Sequence, residues 1–197
     1  MPDHSRFAIL VVCHANLCRS PLVHHLLRRA LRERLGPHAE AFDVSSVGTH
    51  AHPGLPMHPH TATVLRELGG DDEAFRSREL MADVIARADL ILTADAPQRT
   101  ICVSAVPAAA TRAFTVRQFG RLAAAVDATR LPAAPPVERA RALVVEAHLA
   151  RAEFQPVTAD EDDLPDPVGR PLAAFRDCAR RVSEETIDVM VDLLATR

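Results

Sequence analysis

Apolar and polar residues follow two rhythms along this chain, and the switch between them repeats. Residues 7–12, Phe7-Ala8-Ile9-Leu10-Val11-Val12, form a continuous apolar run that ends in Cys13. A stretch apolar on both sides suits a parallel strand covered on both faces. From residue 21 to 35 the period changes. Leu22, Leu26, Leu27, Ala30, Leu31 and Leu35 recur at helical spacing, with Arg28, Arg29, Arg32 and Arg34 between them. Gly36-Pro37 stops that helix. The pattern then predicts a strand over 42–47 closed by Gly48-Thr49. A histidine- and proline-rich loop follows over 50–59, then a helix over 59–68 stopped by Gly69-Gly70. Helices over 79–87, 97–106 and 118–126 are predicted to alternate with strands over 89–93 and 111–116.

This alternation predicts an α/β fold: three layers, doubly wound, around a four-stranded parallel sheet with right-handed crossovers. Ligands of such sheets sit beyond the carboxyl ends of the strands, which is where Cys13 lies. Leu131-Pro132-Ala133-Ala134-Pro135-Pro136 interrupts the rhythm, and residues 137–151 read as an additional helix. The last helix is predicted over 171–195, with Phe175, Cys178, Val182, Met190, Leu193 and Leu194 as its apolar stripe. Ahead of it stand four consecutive acidic residues, Asp160 to Asp163, and then Pro165-Asp166-Pro167-Val168-Gly169.

Composition narrows the functional classes. The 197 residues suffice for one domain, taken as 1–197 with a helical insertion around 128–163. That insertion reads as a solvated loop around one helix in preference to a lid. An apolar fraction of 48% excludes wholesale disorder. No apolar run approaches the ~18–20 residues of a membrane span. Residues 1–6 are polar and enter the first strand directly, so no leader is expected and the cytoplasm is the expected compartment. The net charge of -3 and the lack of a basic block argue against nucleic acid as a partner, and no membrane partner is expected. Cys13, Cys18, Cys102 and Cys178 make neither a C-x-x-C pair nor a zinc spacing. His50, His52, His58 and His60, interleaved with prolines, read as a loop in preference to a metal site. Neither metal nor cofactor is expected.

The chemistry concentrates in Val11-Val12-Cys13-His14-Ala15-Asn16-Leu17-Cys18-Arg19-Ser20-Pro21. A strand ends, a tight loop follows, and a helix begins. Such a loop turns backbone N–H groups toward one point, and the helix dipole adds partial positive charge there. Residues 14–20 therefore form a candidate nest for a tetrahedral oxyanion. Arg19 can fork two hydrogen bonds onto that anion. A cysteine at the base of the loop feels the same field, which favours its thiolate. A thiolate beneath a bound phosphate is placed to attack phosphorus.

This stretch resembles the low-molecular-weight protein tyrosine phosphatase family, whose signature is close to Val-Cys-x-Gly-Asn-x-Cys-Arg-Ser-Pro. The resemblance covers roughly residues 6–125 and 164–195. It implies a cysteine-dependent phosphatase that forms a phosphocysteine, with Cys13 as nucleophile and Arg19 holding the phosphate. It implies Asp166, in the Asp166-Pro167 pair, as the acid that protonates the leaving oxygen, with Asp163 as the runner-up. It gives Ser20 the thiolate hydrogen bond, Asn16 the maintenance of the loop's shape, and Ser46 a buttress to Asn16, unless Ser46 is an ordinary strand-end serine. Cys18 matches a cysteine that can trap an oxidised nucleophile, or is a small buried side chain. The implied substrate is phosphotyrosine in a protein, with a small phosphate ester as the alternative; phosphate or a similar oxyanion should bind in the loop.

Three features depart from the family. Ala15 stands where glycine is usual, which would strain the backbone if that residue needed a positive φ. Phe75 stands where a histidine commonly precedes an Arg-x-Arg element, here Arg76-Ser77-Arg78. His50, His52, Val168 and Gly169 stand where aromatic residues usually line the pocket. Two rival readings follow: a thiol-dependent arsenate reductase, for which Cys102 and Cys178 are the candidate redox cysteines, or a weakened phosphate-binding regulatory module.

Overall fold

A computed structural model describes residues 5–70, 74–155, 158 and 161–195. Four strands, β1 (Phe7–Cys13), β2 (Phe42–Gly48), β3 (Leu90–Thr93) and β4 (Ala113–Thr115), form one parallel sheet in the order β2-β1-β3-β4. Helices cover both faces, as the alternation predicts. The pleat of β1 divides the core between them. Ile9 and Val11 join Phe7, Leu90, Leu92 and Phe114 on one face; Leu10 and Val12 join Val47, Ile91 and Ala113 on the other.

The first face carries α1 (Arg19–Leu35), α2 (Pro59–Glu67), α5 (Val116–Ala124), α6 (Pro136–Ala150), α7 (Leu172–Val182) and α8 (Asp188–Leu194). The second carries α3 (Ala82–Arg87) and α4 (Ala96–Ala105). Short 3₁₀ turns at Gly36–Ala41 and Pro107–Thr111 lead into β2 and β4. The latter turn is why β4 starts later than the predicted 111.

The last helix is continuous but not uniform. A π-helical turn, Ser183–Ile187, joins α7 to α8. Gly120 of α5 packs against this turn, and a β-carbon there would lie 2.0 Å from the Glu185 carbonyl oxygen. Thr186 Oγ1 donates to Val116 O at 3.0 Å, so the widened turn is held by α5.

Helix α6 is part of the core and not a solvated appendage. Val137, Ala140, Leu143, Val144 and Ala147 are buried on its inner side. Arg139 caps the end of α8 through Leu193 O, at 2.9 Å from Nε and 2.7 Å from Nη2. Arg151 lays its guanidinium over the Phe114 ring at 3.8 Å. The run after α6 includes Asp160, which lies outside the described residues. Its remaining part is stapled to the sheet end. Arg121 forks onto Asp162 at 2.9 and 2.8 Å, Thr115 Oγ1 donates to Asp162 O at 2.5 Å, and Leu164 N donates to Ala94 O at 2.8 Å. These contacts deliver residues 164–166 to the carboxyl edge of β3, beside the end of β1.

Candidate active site

The loop between β1 and α1 is shaped by one residue. Asn16 has φ 55°, the only non-glycine positive φ among the described residues. Ala15 is therefore outside the left-handed region and carries no such strain. Asn16 is fully buried, and its amide has three partners. Its Nδ2 donates to Ser20 Oγ at 2.8 Å and to Ser46 Oγ at 3.1 Å, while its Oδ1 accepts from Arg78 N at 2.8 Å. An asparagine here both tolerates the conformation and fills its hydrogen-bonding capacity.

Gly48, at the end of β2, lets the loop come close. A β-carbon on it would lie 2.6 Å from His14 O, 2.7 Å from Asn16 N and 2.8 Å from the Ala15 carbonyl carbon. The following residues tie the loop down: Thr49 N donates to Cys13 O at 2.9 Å and His50 N to His14 O at 2.8 Å. His58 N does the same for Leu17 O at 2.9 Å.

Cys13 Sγ lies 3.0 Å from Ser20 Oγ. Ser20 accepts from Asn16, so its own proton is available to the sulfur, with Val47 O at 3.3 Å as the competing acceptor. Arg19 begins α1 and is 5% exposed. Its Nη1 donates to Asp95 Oδ2 at 3.0 Å and Leu164 O at 3.2 Å, and its Nη2 donates to Asp166 Oδ2 at 2.7 Å. Asp166 is the more open partner, with its side chain 44% exposed against 18% for Asp95. Asp166 Oδ1 accepts from Val168 N at 3.1 Å, which fixes the carboxylate across Pro167.

The structure thus brings Cys13, Arg19, Ser20, Asn16, Ser46 and Asp166 together. Asp163 is elsewhere: its Oδ1 accepts from Ala96 N at 2.8 Å at the start of α4. Cys18 is buried beneath the loop, and burial pushes its thiol up to about 12. Cys102 and Cys178 are 0% and 4% exposed, and burial raises their thiols to about 11 and about 12. Three of the four clustered histidines divide. The His50 ring stacks on His14 at 4.6 Å, whereas His58 and His60 pack on Phe175 at 4.9 and 5.2 Å.

Four residues of this site are outside the candidate residues read from the sequence, although Arg78 and Gly48 lie in stretches noted there. Asp95 is the N-cap of α4, in a capping box with Gln98, and so is held for Arg19 by the helix it starts. Its signal was position, at the carboxyl end of a strand neighbouring β1. Arg78 holds Asn16 through its backbone and Ser46 O through Nη2 at 3.0 Å. Gly48 and His24 complete the set; His24 lies four residues after Ser20, one turn along α1.

Known proteins match this sequence and fold. A family model, low molecular weight phosphotyrosine protein phosphatase, matches residues 8–130. A probable low molecular weight protein-tyrosine-phosphatase EpsP of Ralstonia nicotianae is 37% identical over 100 residues, 51% of this chain and 63% of that protein. The match thus spans less than two thirds of that relative. A protein-arginine-phosphatase of Geobacillus stearothermophilus is 26% identical over 190 residues, 96% of this chain and 97% of that protein. Among solved structures, a low molecular weight protein tyrosine phosphatase from T. tengcongensis superposes with a TM-score of 0.66 at 24% identity, covering 94% of this chain and 98% of that one. The YwlE arginine phosphatase from G. stearothermophilus gives 0.63 at 24%, covering 96% and 90%.

Proposed function

We propose the reaction from one premise: the chain belongs to the low molecular weight phosphotyrosine protein phosphatase family, whose model covers more than half of it. The site hydrolyses phosphomonoesters through a covalent phosphocysteine. The observation that carries this reading is the 2.7 Å contact between Arg19 and Asp166 across 147 positions of sequence. It sets a carboxyl group at the rim of a loop whose floor is a cysteine.

An arriving phosphate takes the guanidinium from Asp166 and is held by Arg19 and the loop N–H groups. The Cys13 thiolate attacks phosphorus, the S–P bond forms and the P–O bond to the leaving group breaks. Asp166, released by the guanidinium and protonated from solvent, gives that proton to the leaving oxygen. The carboxylate then takes a proton from water, which attacks phosphorus and breaks the S–P bond, releasing phosphate and Cys13. Ser20 stabilises the departing sulfur by hydrogen bonding.

The substrate is a phosphotyrosine side chain by family, or a smaller phosphate ester. The stacked rings of His14 and His50 and the exposed Val168 are the apolar surfaces beside the reacting groups. Residues 1–197 act as one domain, with residues 128–163 an insertion anchored by the buried face of α6. The arsenate reading gains no support from Cys102 and Cys178, whose burial disfavours the reactive thiolate.

The test is turnover of an aryl phosphate, a phosphotyrosine peptide, phosphoarginine and a small alkyl phosphate by the parent and by Cys13→Ser. The parent should turn over at least one. The variant should lose that turnover and keep vanadate binding. Undiminished turnover in the variant would reject the mechanism.

A further inference from the structure

We propose that His24 is a positioning residue for the nucleophile, acting through Ser46 and Asn16 from the opposite side of the loop. The proposal rests on Cys13 being the nucleophile.

Four contacts connect them. His24 Nδ1 lies 3.3 Å from Ser46 Oγ, Ser46 Oγ accepts from Asn16 Nδ2 at 3.1 Å, Asn16 Nδ2 donates to Ser20 Oγ at 2.8 Å, and Ser20 Oγ lies 3.0 Å from Cys13 Sγ. The direction of each bond can be worked out. Arg78 N donates to Asn16 Oδ1, so the amide cannot be flipped, and both of its N–H groups point to serines. Ser46 therefore receives a proton from Asn16 and must send its own elsewhere. His24 Nδ1 is the acceptor within reach.

That requires a neutral imidazole with its proton on Nε2. The surroundings keep the ring neutral, and the Ser46 hydroxyl selects the tautomer, leaving Nε2 buried without a hydrogen-bond partner among the described residues. Burial, aided by His25, Arg28 and Arg78, depresses the His24 pKa to about 3. The neutral ring stays an acceptor across the whole working range. With Ser46 committed to His24, Asn16 gives one N–H to each serine, and Ser20 keeps its proton for the sulfur. Without that acceptor, the Ser46 hydroxyl turns, competes for Asn16 and loosens the residue that sets the loop's left-handed turn.

Phe75 makes this assignment informative. It occupies the place before Arg76-Ser77-Arg78 and presents a ring that cannot hydrogen-bond, packed edge-on to His25 at 6.2 Å. The side-chain acceptor for Ser46 thus comes from α1 and not from that segment.

The experiment measures Cys13 ionisation, from the pH dependence of its alkylation by iodoacetamide, beside the pH profile of kcat/KM. His24→Leu removes the acceptor; His24→Asn restores one through Oδ1. The leucine variant should raise the alkylation pKa by about one unit and lower kcat/KM about tenfold at neutral pH. The asparagine variant should recover most of both. Adding His24→Leu to Ser46→Ala should change neither quantity further, because His24 acts through that hydroxyl.

An unchanged alkylation profile in His24→Leu, no rescue by asparagine, or additivity with Ser46→Ala would each overturn the proposal. Should the leucine variant fail to fold, His24→Asn against His24→Asn/Ser46→Ala decides it: a parent-like profile in the first and a raised pKa in the second are required. An inactive parent whose alkylation profile still shifts in His24→Leu would count against the hydrolytic reading and leave the His24 assignment standing.

Discussion

The two sides of the loop are built on opposite electrostatic principles. On the outer side, the Arg19 guanidinium is shared between Asp95 and Asp166, and the latter is nearly half exposed. On the inner side, Asn16, Ser20 and Ser46 are at most 1% exposed and form a neutral chain that ends at His24. An ionic contact at a solvent edge is cheap to exchange, because water and an incoming anion can each replace a partner. A buried neutral network is costly to leave half-satisfied, so it holds one geometry. In the proposed mechanism substrate rearranges the outer side, while the inner side keeps the cysteine and loop N–H groups where they are.

The comparison breaks most severely at Arg19. Arg19→Lys keeps the charge and removes the fork that reaches Asp166 while Asp95 is held. A loss of about 10²–10³-fold in kcat/KM is expected, with a denaturation midpoint close to the parent's. Steady-state kinetics and urea unfolding on the same preparation check both halves; a variant that unfolds early would show the outer side to be structural after all. Asp166→Asn acts on the same side through chemistry. It should lower kcat about 10²-fold for an alkyl ester and much less for a nitrophenyl ester, whose leaving group needs no proton. Phosphate inhibition should be as strong as the parent's or stronger, since Arg19 no longer has that carboxylate as a competitor. Equal losses for both esters would exclude Asp166 as the acid.

On the inner side, activity and stability should fall together. Asn16→Ala deletes three hydrogen bonds, orphans Arg78 N, and puts a β-carbon residue without a stabilising amide at φ 55°. About 2 kcal/mol of unfolding free energy should be lost, read from urea midpoints, together with vanadate binding. Lost binding with an unchanged midpoint would separate the two functions that the network is argued to combine.

The same division explains what could be read from the sequence. Cys13, Asn16, Arg19, Ser20 and Asp166 lie in two short segments whose residue types announce their chemistry. The parallel sheet was legible because strands such as Leu90-Ile91-Leu92 are apolar on both faces. Asp95 and His24 were not. Asp95 is indistinguishable in sequence from any helix cap, and its second task appears only when β3 is set beside β1. His24 sits in a helix whose neighbouring positions are apolar and arginine-rich, so nothing local marks it as the acceptor for a serine in β2. The π-helical turn was equally hidden, since it answers the missing side chain of Gly120 in a different helix. Local pattern encodes the elements and the loop that carries Cys13; pairing across the sheet encodes which residues support them.

The smallest expected effect isolates the inner side by pH. His24 is held neutral, with a folded-state pKa near 3 against an unfolded value near 6.5. The unfolded chain therefore binds the extra proton first as pH falls. The stability associated with the neutral ring is complete above about pH 6.5 and declines as pH drops toward 3, with a slope of at most about 1.4 kcal/mol per pH unit. Since the ring is not wholly buried, a smaller slope is the realistic expectation. His58 and His148 are also depressed, chiefly by burial, and tilt the parent's profile in the same direction. Subtraction removes them: the parent's urea midpoint should fall between about pH 7 and about pH 5 by more than that of His24→Asn. Two parallel curves would mean that the imidazole is hydrated in solution, and the neutral chain would then end at Ser46.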